Sequence, residues 1–134
     1  MFPAFNFITG NYCEEKPALV KSSPIYLYFE SSALAYDANG CAIRMYINAS
    51  IEIDSQGNIT SFNIYNAGYY KDCPQIYFAE RAMFATYSGS DITALYITES
   101  AENEDVDQVT RDSQAQAIAL AELNVLVDDV IENN

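Results

Sequence analysis

Apolar and polar residues alternate with period two along much of the first hundred positions, the pattern of strands that bury one face. It is cleanest after residue 42. Ile43, Met45, Ile47, Ala49, Ile51 and Ile53 fall on one side, and Arg44, Tyr46, Asn48, Ser50, Glu52 and Asp54 on the other. Such a run predicts one face in a core and one face wet or at an interface, and a strand that long is expected to bend or carry a bulge. Ile25, Leu27 and Phe29 alternate with Tyr26, Tyr28 and Glu30 in the same way. A turn over 54–58 leads to a strand over 59–65, where Phe62 and Ile64 oppose Ser61, Asn63 and Tyr65. Asn39-Gly40 between apolar runs predicts a hairpin turn, and Asn66-Ala67-Gly68 a further corner. Pro74 confines 75–78 to an edge or the start of a strand. Segment 81–87 reads as either helix or strand. A turn over 88–91 then opens a last strand over 92–98.

These elements repeat. Segments 23–50 and 73–100 share a leading proline, a Tyr-Phe pair, a glycine turn and a Tyr-Ile strand end. Pro24 and Pro74 are 50 positions apart, as are Ile47 and Ile97, while Tyr28 and Tyr77, and Gly40 and Gly89, are 49 apart. A period near 50 marks duplicated supersecondary units. The fold expected is mainly β: duplicated hairpin units forming a small sandwich or barrel over 23–100, with an N-terminal aromatic arm and a C-terminal helix.

The pattern changes on both sides of that domain. The arm, 1–22, holds Phe2, Phe5, Phe7 and Tyr12 between Pro3, Gly10 and Pro17, and so many aromatic residues are expected to pack on the chain's own sheet or on a neighbouring subunit. Residues 101–112 are acidic without a strong period and read as a linker. Residues 113–132 lack Gly and Pro and are rich in Ala, Leu and Gln, which predicts a helix capped by Asp112 or Ser113. Its middle is apolar nearly all round, so it either covers its own sheet or is buried against other subunits. Leu120, Leu123, Val127 and Val130 follow 3-4-3 spacing, compatible with a short coiled-coil seam.

Composition narrows the partners. The chain has 134 residues, 19 acidic against 6 basic, and a net charge of −13, which argues against a nucleic-acid backbone or an anionic membrane. Eleven tyrosines, seven phenylalanines and no tryptophan suit half-buried sheet faces and contact surfaces. Three cysteines, Cys13, Cys41 and Cys73, form no CxxC pair and read most simply as reduced, partly buried residues. The N-terminus has neither the basic start nor the apolar core of a secretory signal, and no apolar run approaches the ~20 residues needed to cross a bilayer. A soluble protein made in a cytoplasm is expected.

Candidate chemistry is sparse. The chain has no histidine, which excludes Ser-His-Asp and Cys-His arrangements and His-bearing zinc sites. It has no GxGxxG or Walker A sequence. Asp37, Glu52, Asp54, Asp72 and Glu80 are available as catalytic carboxylates, but no spacing selects a pair. Asn103, Asp105 and Asp107 mimic the alternating oxygens that open a calcium loop, without its glycine or closing glutamate. No enzyme activity, metal or cofactor is expected.

The string GNITSFNIYNAGYYKDCPQIYF, residues 57–78, resembles the glycine-tyrosine-proline β-repeats of tailed-bacteriophage virion structural proteins. In those repeats a G-x-I-T-S-x-x-I-x-N-x-G-x-G-Y core leads to a proline and an alternating strand. Ile59, Thr60, Ser61, Ile64, Asn66 and Gly68 stand at matching positions, with a fainter echo at 24–29. The corner Gly68-Tyr69-Tyr70 is one residue shorter than Gly-x-Gly-Tyr, with Tyr69 in place of the second glycine before the matching Tyr70, and Pro74 follows. The resemblance implies a β-rich virion component: a capsid decoration, tail accessory or fibre-associated protein that is made in the host cytoplasm.

The function expected is therefore non-enzymatic assembly with other virion proteins, as a homo-oligomer or as many copies on a symmetric structure. Phe2, Phe5 and Phe7, with Leu120, Leu123, Leu126, Val127 and Val130, are the expected apolar anchors. The alternative is a receptor- or carbohydrate-binding module whose ligand contacts are Tyr65, Tyr69 and Tyr70.

Overall fold

A computed structural model describes residues 24–73 and 78–133. The arm with Phe2, Phe5, Phe7 and Cys13 lies outside the described residues, as do 74–77. Among the described residues, seven strands and two helices follow in order: β1 (Ile25–Glu30), β2 (Ala35–Tyr36), β3 (Ala42–Ile53), β4 (Ile59–Asp72), β5 (Phe78–Glu80), β6 (Met83–Ser88), β7 (Asp91–Ile97), α1 (Glu104–Arg111) and α2 (Ser113–Glu132). β1, β3, β4 and β5 lie side by side in that order, with β2 also paired to β3, and β6 with β7 makes a second, two-stranded sheet. The pairings are antiparallel throughout. The chain is mainly β with a C-terminal helix, as its alternation predicts. Segment 81–87, which the sequence leaves between helix and strand, is largely β6.

The spine is the long β3–β4 hairpin, running from Ala42 opposite Asp72 to Ile53 opposite Ile59. Its turn is closed by Asp54, whose Oδ1 accepts the N–H groups of Gln56 (2.8 Å) and Asn58 (2.9 Å). Gly57 supplies the positive φ of 84° that this turn requires. Ile43, Met45, Ile47, Ala49 and Ile51 are all buried on the inner face. The other face is less wet than expected, because Tyr46 and Ser50 are buried there as well.

Bulges interrupt the hairpin between Asn48 and Ala49 and between Glu52 and Ile53. At the first, Asn48 pairs with Asn66 and Ala49 with Ile64, so Tyr65 is the extra residue on β4. The insertion inverts the alternation of everything that follows it. Phe62 faces inward before the bulge; after it Ala67 and Tyr69 do. At Gly68 the neighbouring strand comes so close that an added Cβ would stand 2.5 Å from the Ala79 carbonyl oxygen, so this position admits no side chain while β5 stays paired.

The two hairpins of the sequence repeat join different sheets. From the Gly40 turn β3 returns onto β2 and β1, whereas from the Gly89 turn β7 returns onto β6. A hydrogen bond from Ile59 N–H to Gly89 C=O (2.8 Å) ties the ribbon to the base of β4. Both sheets and both helices contribute to one core.

The acidic segment 101–112 is not a bare linker, since it contains α1. Asn103 caps that helix by accepting the Val106 N–H (3.1 Å), and Glu104, Asp105 and Asp107 place negative charge in its first turn. Two carboxylates then find cations on the sheet. Asp105 binds Lys71 Nζ at 3.0 Å and Asp107 binds Arg81 at 2.5 Å. These oxygens are therefore spent on a cap and two ion pairs instead of converging as a calcium loop. Asp112 ends α1 and caps α2 through the N–H groups of Gln114 and Ala115.

The cysteines also depart from expectation. The pairing of Ala42 with Asp72 brings Cys41 opposite Cys73, with Cα atoms 5.5 Å apart, and the two form a disulfide. Reduced residues were the simplest reading only because cross-strand register is invisible in the spacing.

Candidate binding face

The outer face of the main sheet, turned away from the core, gathers the tyrosines. β1 contributes Tyr26 and Tyr28, paired with Ser50 and Asn48 of β3; β4 adds Tyr65 and Tyr70. Tyr26, Tyr28 and Tyr65 are 69%, 53% and 60% exposed, high for rings of this size standing side by side on one sheet. The bulge makes the arrangement. It places Asn63, Tyr65 and Asn66 on the same side, where regular alternation would have turned Asn66 inward.

These rings are held in place. The Tyr65 hydroxyl donates to Ser50 Oγ at 2.8 Å, laying its ring across β3. Tyr26 stacks beside it, ring centroids 6.1 Å apart and planes at 29°. Glu30 accepts the hydroxyls of both Tyr28 (3.4 Å) and Tyr70. Tyr46 packs against Tyr70 with centroids 6.4 Å apart. Arg44 reaches Asp72 at 3.2 Å and the Ser31 carbonyl oxygen at 3.3 Å. Partial burial, and then the bond to Glu30, push the Tyr70 phenol well above its ordinary value. Partial burial and the same carboxylate raise Tyr28, while burial and the nearby Glu80 raise Tyr46. All three stay neutral near pH 7, so the face offers aromatic surface and hydroxyls beside a few fixed charges.

The ligand contacts expected from sequence separate here. Tyr65 is on the face and exposed, and Tyr70 is there with its hydroxyl engaged. Tyr69 is not: it is fully buried, and its hydroxyl accepts from Gln116 Nε2 of α2 at 3.0 Å. The bulge at Tyr65 turned it inward, and burial raises its phenol pKa. Tyr26 and Tyr28 were the residues missed, although their alternation with Leu27 and Phe29 carried the signal.

The expected helix anchors also divide. Leu123 and Val127 are fully buried with Ala115 and Ala119 in the chain's own core, so they present no surface to a partner. Leu120, Leu126 and Val130 are partly buried against that core. The large apolar residues that α2 leaves exposed are Ile118 (46%) and Val125 (71%). Of the two packings open to it, the helix covers its own sheets.

Comparison of the chain with protein-family models, with curated proteins and with solved structures finds no match in any of the three.

Proposed function

We propose that this chain is a non-enzymatic structural protein of a tailed-bacteriophage virion, a capsid decoration or a tail or fibre accessory. In this reading it works by protein–protein assembly and docks through the tyrosine face of its main sheet. The observation that carries the assembly reading is the row of Tyr26, Tyr28 and Tyr65, each more than half exposed. Rings already held by Ser50, Glu30 and one another lose little freedom on binding, and tyrosine is among the residues that dominate contact energetics. The virion assignment leans on the resemblance of 57–78, a string that includes the end of the hairpin turn and the whole of β4, with Tyr65 and Tyr70. The surplus of acid over base would steer the face toward a basic partner.

The test is binding of the purified full chain to capsid and tail proteins encoded beside its gene, with light scattering to follow self-assembly. A complex or oligomer that weakens at least tenfold in Tyr26→Ser/Tyr65→Ser is the expected result. A chain that stays monomeric and binds none of those proteins overturns the reading.

The Tyr26–Tyr65 stack beside Ser50 and Asn63 also favours a second reading, a receptor- or carbohydrate-binding module, because aromatic faces flanked by hydroxyl and amide groups suit sugar rings. Glycan-array hits lost in Tyr65→Ala would select it over assembly.

A further inference from the structure

Among the described residues β1 is the edge strand of the main sheet, and no segment pairs with its outer side. Its hydrogen-bonding phase follows from the ladder. Ser31 N–H donates to the Met45 carbonyl at 2.9 Å, continuing the register in which Phe29 opposes Ile47 and Leu27 opposes Ala49. Antiparallel strands alternate between bonded and non-bonded pairs, so Ile25, Leu27 and Phe29 bond to β3. The N–H and C=O groups of Tyr26, Tyr28 and Glu30 therefore point to the open edge.

Beside that edge runs a groove of about 550 Å³ between β1 and α2. Phe29, Leu126 and Val125 supply its apolar lining, and Glu30, Glu122 and Asp129 its charge, with no basic residue among the lining side chains. Glu122 holds α2 at this spacing, because its carboxylate accepts both the N–H (2.8 Å) and the hydroxyl (2.6 Å) of Ser32.

We propose that this groove takes an extended basic segment of a partner protein, which adds as a strand to β1. Three features fix the chemistry of the occupant. The open backbone groups require an extended chain, and the Phe29–Val125–Leu126 lining requires apolar side chains on the face turned toward α2. Glu30 on the outer face, with Glu122 and Asp129 flanking the apolar lining on α2, selects lysine or arginine among the rest. The inference rests on the reading of this chain as an assembly protein, but it centres on a different surface: of the tyrosine row only Tyr28 also lines the groove, and neither Tyr26 nor Tyr65 does.

The probe is a capped eight-residue peptide of alternating Lys and Val, titrated calorimetrically into the full chain. The expected result is binding that weakens with added salt and falls at least tenfold in three cases: when alternate peptide nitrogens are methylated, when every Lys is replaced by Glu, and in Val125→Arg. Val125 is exposed, so its substitution leaves the core intact. Equal binding of the methylated peptide overturns strand addition, and equal binding by Val125→Arg overturns the location. No binding of any peptide by the full chain also overturns the proposal, as it would if the chain's own residues 1–23 filled the groove. Loss of assembly in Tyr26→Ser/Tyr65→Ser with peptide binding retained keeps the two readings separable.

Discussion

The side chain of Asn124 completes the open edge of the β6–β7 ribbon at Ile92. Its Oδ1 accepts the Ile92 N–H at 2.8 Å, and its Nδ2 donates to the Ile92 C=O at 2.9 Å. One amide thus does for Ile92 what a neighbouring strand would do, and an asparagine in an apolar helix is explained. Asn124→Leu is expected to destabilise the fold by about 1–3 kcal/mol, because both backbone groups lose their partner. Urea denaturation measures it; an unchanged midpoint would show the contact to be incidental.

Arg81 lies at the corner between β5 and β6 with its side chain 1% exposed, and Asp107 brings α1 down onto it. A lone buried charge is costly, so Arg81→Met should cost about 3–5 kcal/mol by stranding Asp107. Arg81 Nε is buried without a hydrogen-bond partner, so the pair is incompletely compensated. Arg81→Met/Asp107→Leu should therefore recover most of the loss. A double variant no more stable than the single one would argue that the pair is needed as such.

Cys41 and Cys73 are separated by 32 positions. Closing a loop of that length in the unfolded chain is worth about 3–4 kcal/mol in the chain-entropy account. Under denaturing, non-reducing conditions iodoacetamide should label only Cys13, and after reduction all three cysteines. Labelling of all three without reduction would mean that the bond does not form. Cys41→Ser/Cys73→Ser should lower stability by roughly that amount under oxidising conditions and by nothing under reducing ones.

Stability should plateau between about pH 5 and 9 and fall on both sides. On the acid side, the N–H of Cys41 and then that of Asn39 hold Asp37 below its ordinary pKa, and those of Asn58 and Gln56 do the same for Asp54. Depressed carboxylates contribute stability that is present above their unfolded value near ~3.9 and lost as pH falls through the folded one. On the alkaline side, the bond to Asp105 raises Lys71, and burial raises Tyr69. Raised groups contribute fully below their unfolded values near ~10 and lose that contribution as pH rises through the folded ones. Absorbance at 295 nm should show Tyr69 ionising only as the circular dichroism of the fold disappears. Ionisation of all eleven tyrosines before unfolding would contradict the buried position of Tyr69.

Much of the architecture was legible in one dimension. The alternation from Ile43 to Ile53 specified a strand and its inner face, because a period of two leaves no other way to bury those side chains. The turns at Gly40, Gly57 and Gly89 and the helix after Asp112 were equally local. The short α1 was not. With few apolar residues it gains much of its hold from Lys71 and Arg81, which only folding brings to Asp105 and Asp107.

The binding face shows the same division. Sequence by itself determined that tyrosines would alternate with core residues along β1, and that β4 would carry several more. Tertiary structure decided which of them face outward. One extra residue at Tyr65 shifts β4 by half a period, sending Tyr69 into the core and Tyr70 to Glu30. It also decided the disulfide and the role of Asn124, since both depend on which strand or helix lies alongside. Period and propensity are properties of neighbours in the chain, whereas register, pairing and the closing of an edge are properties of neighbours in space.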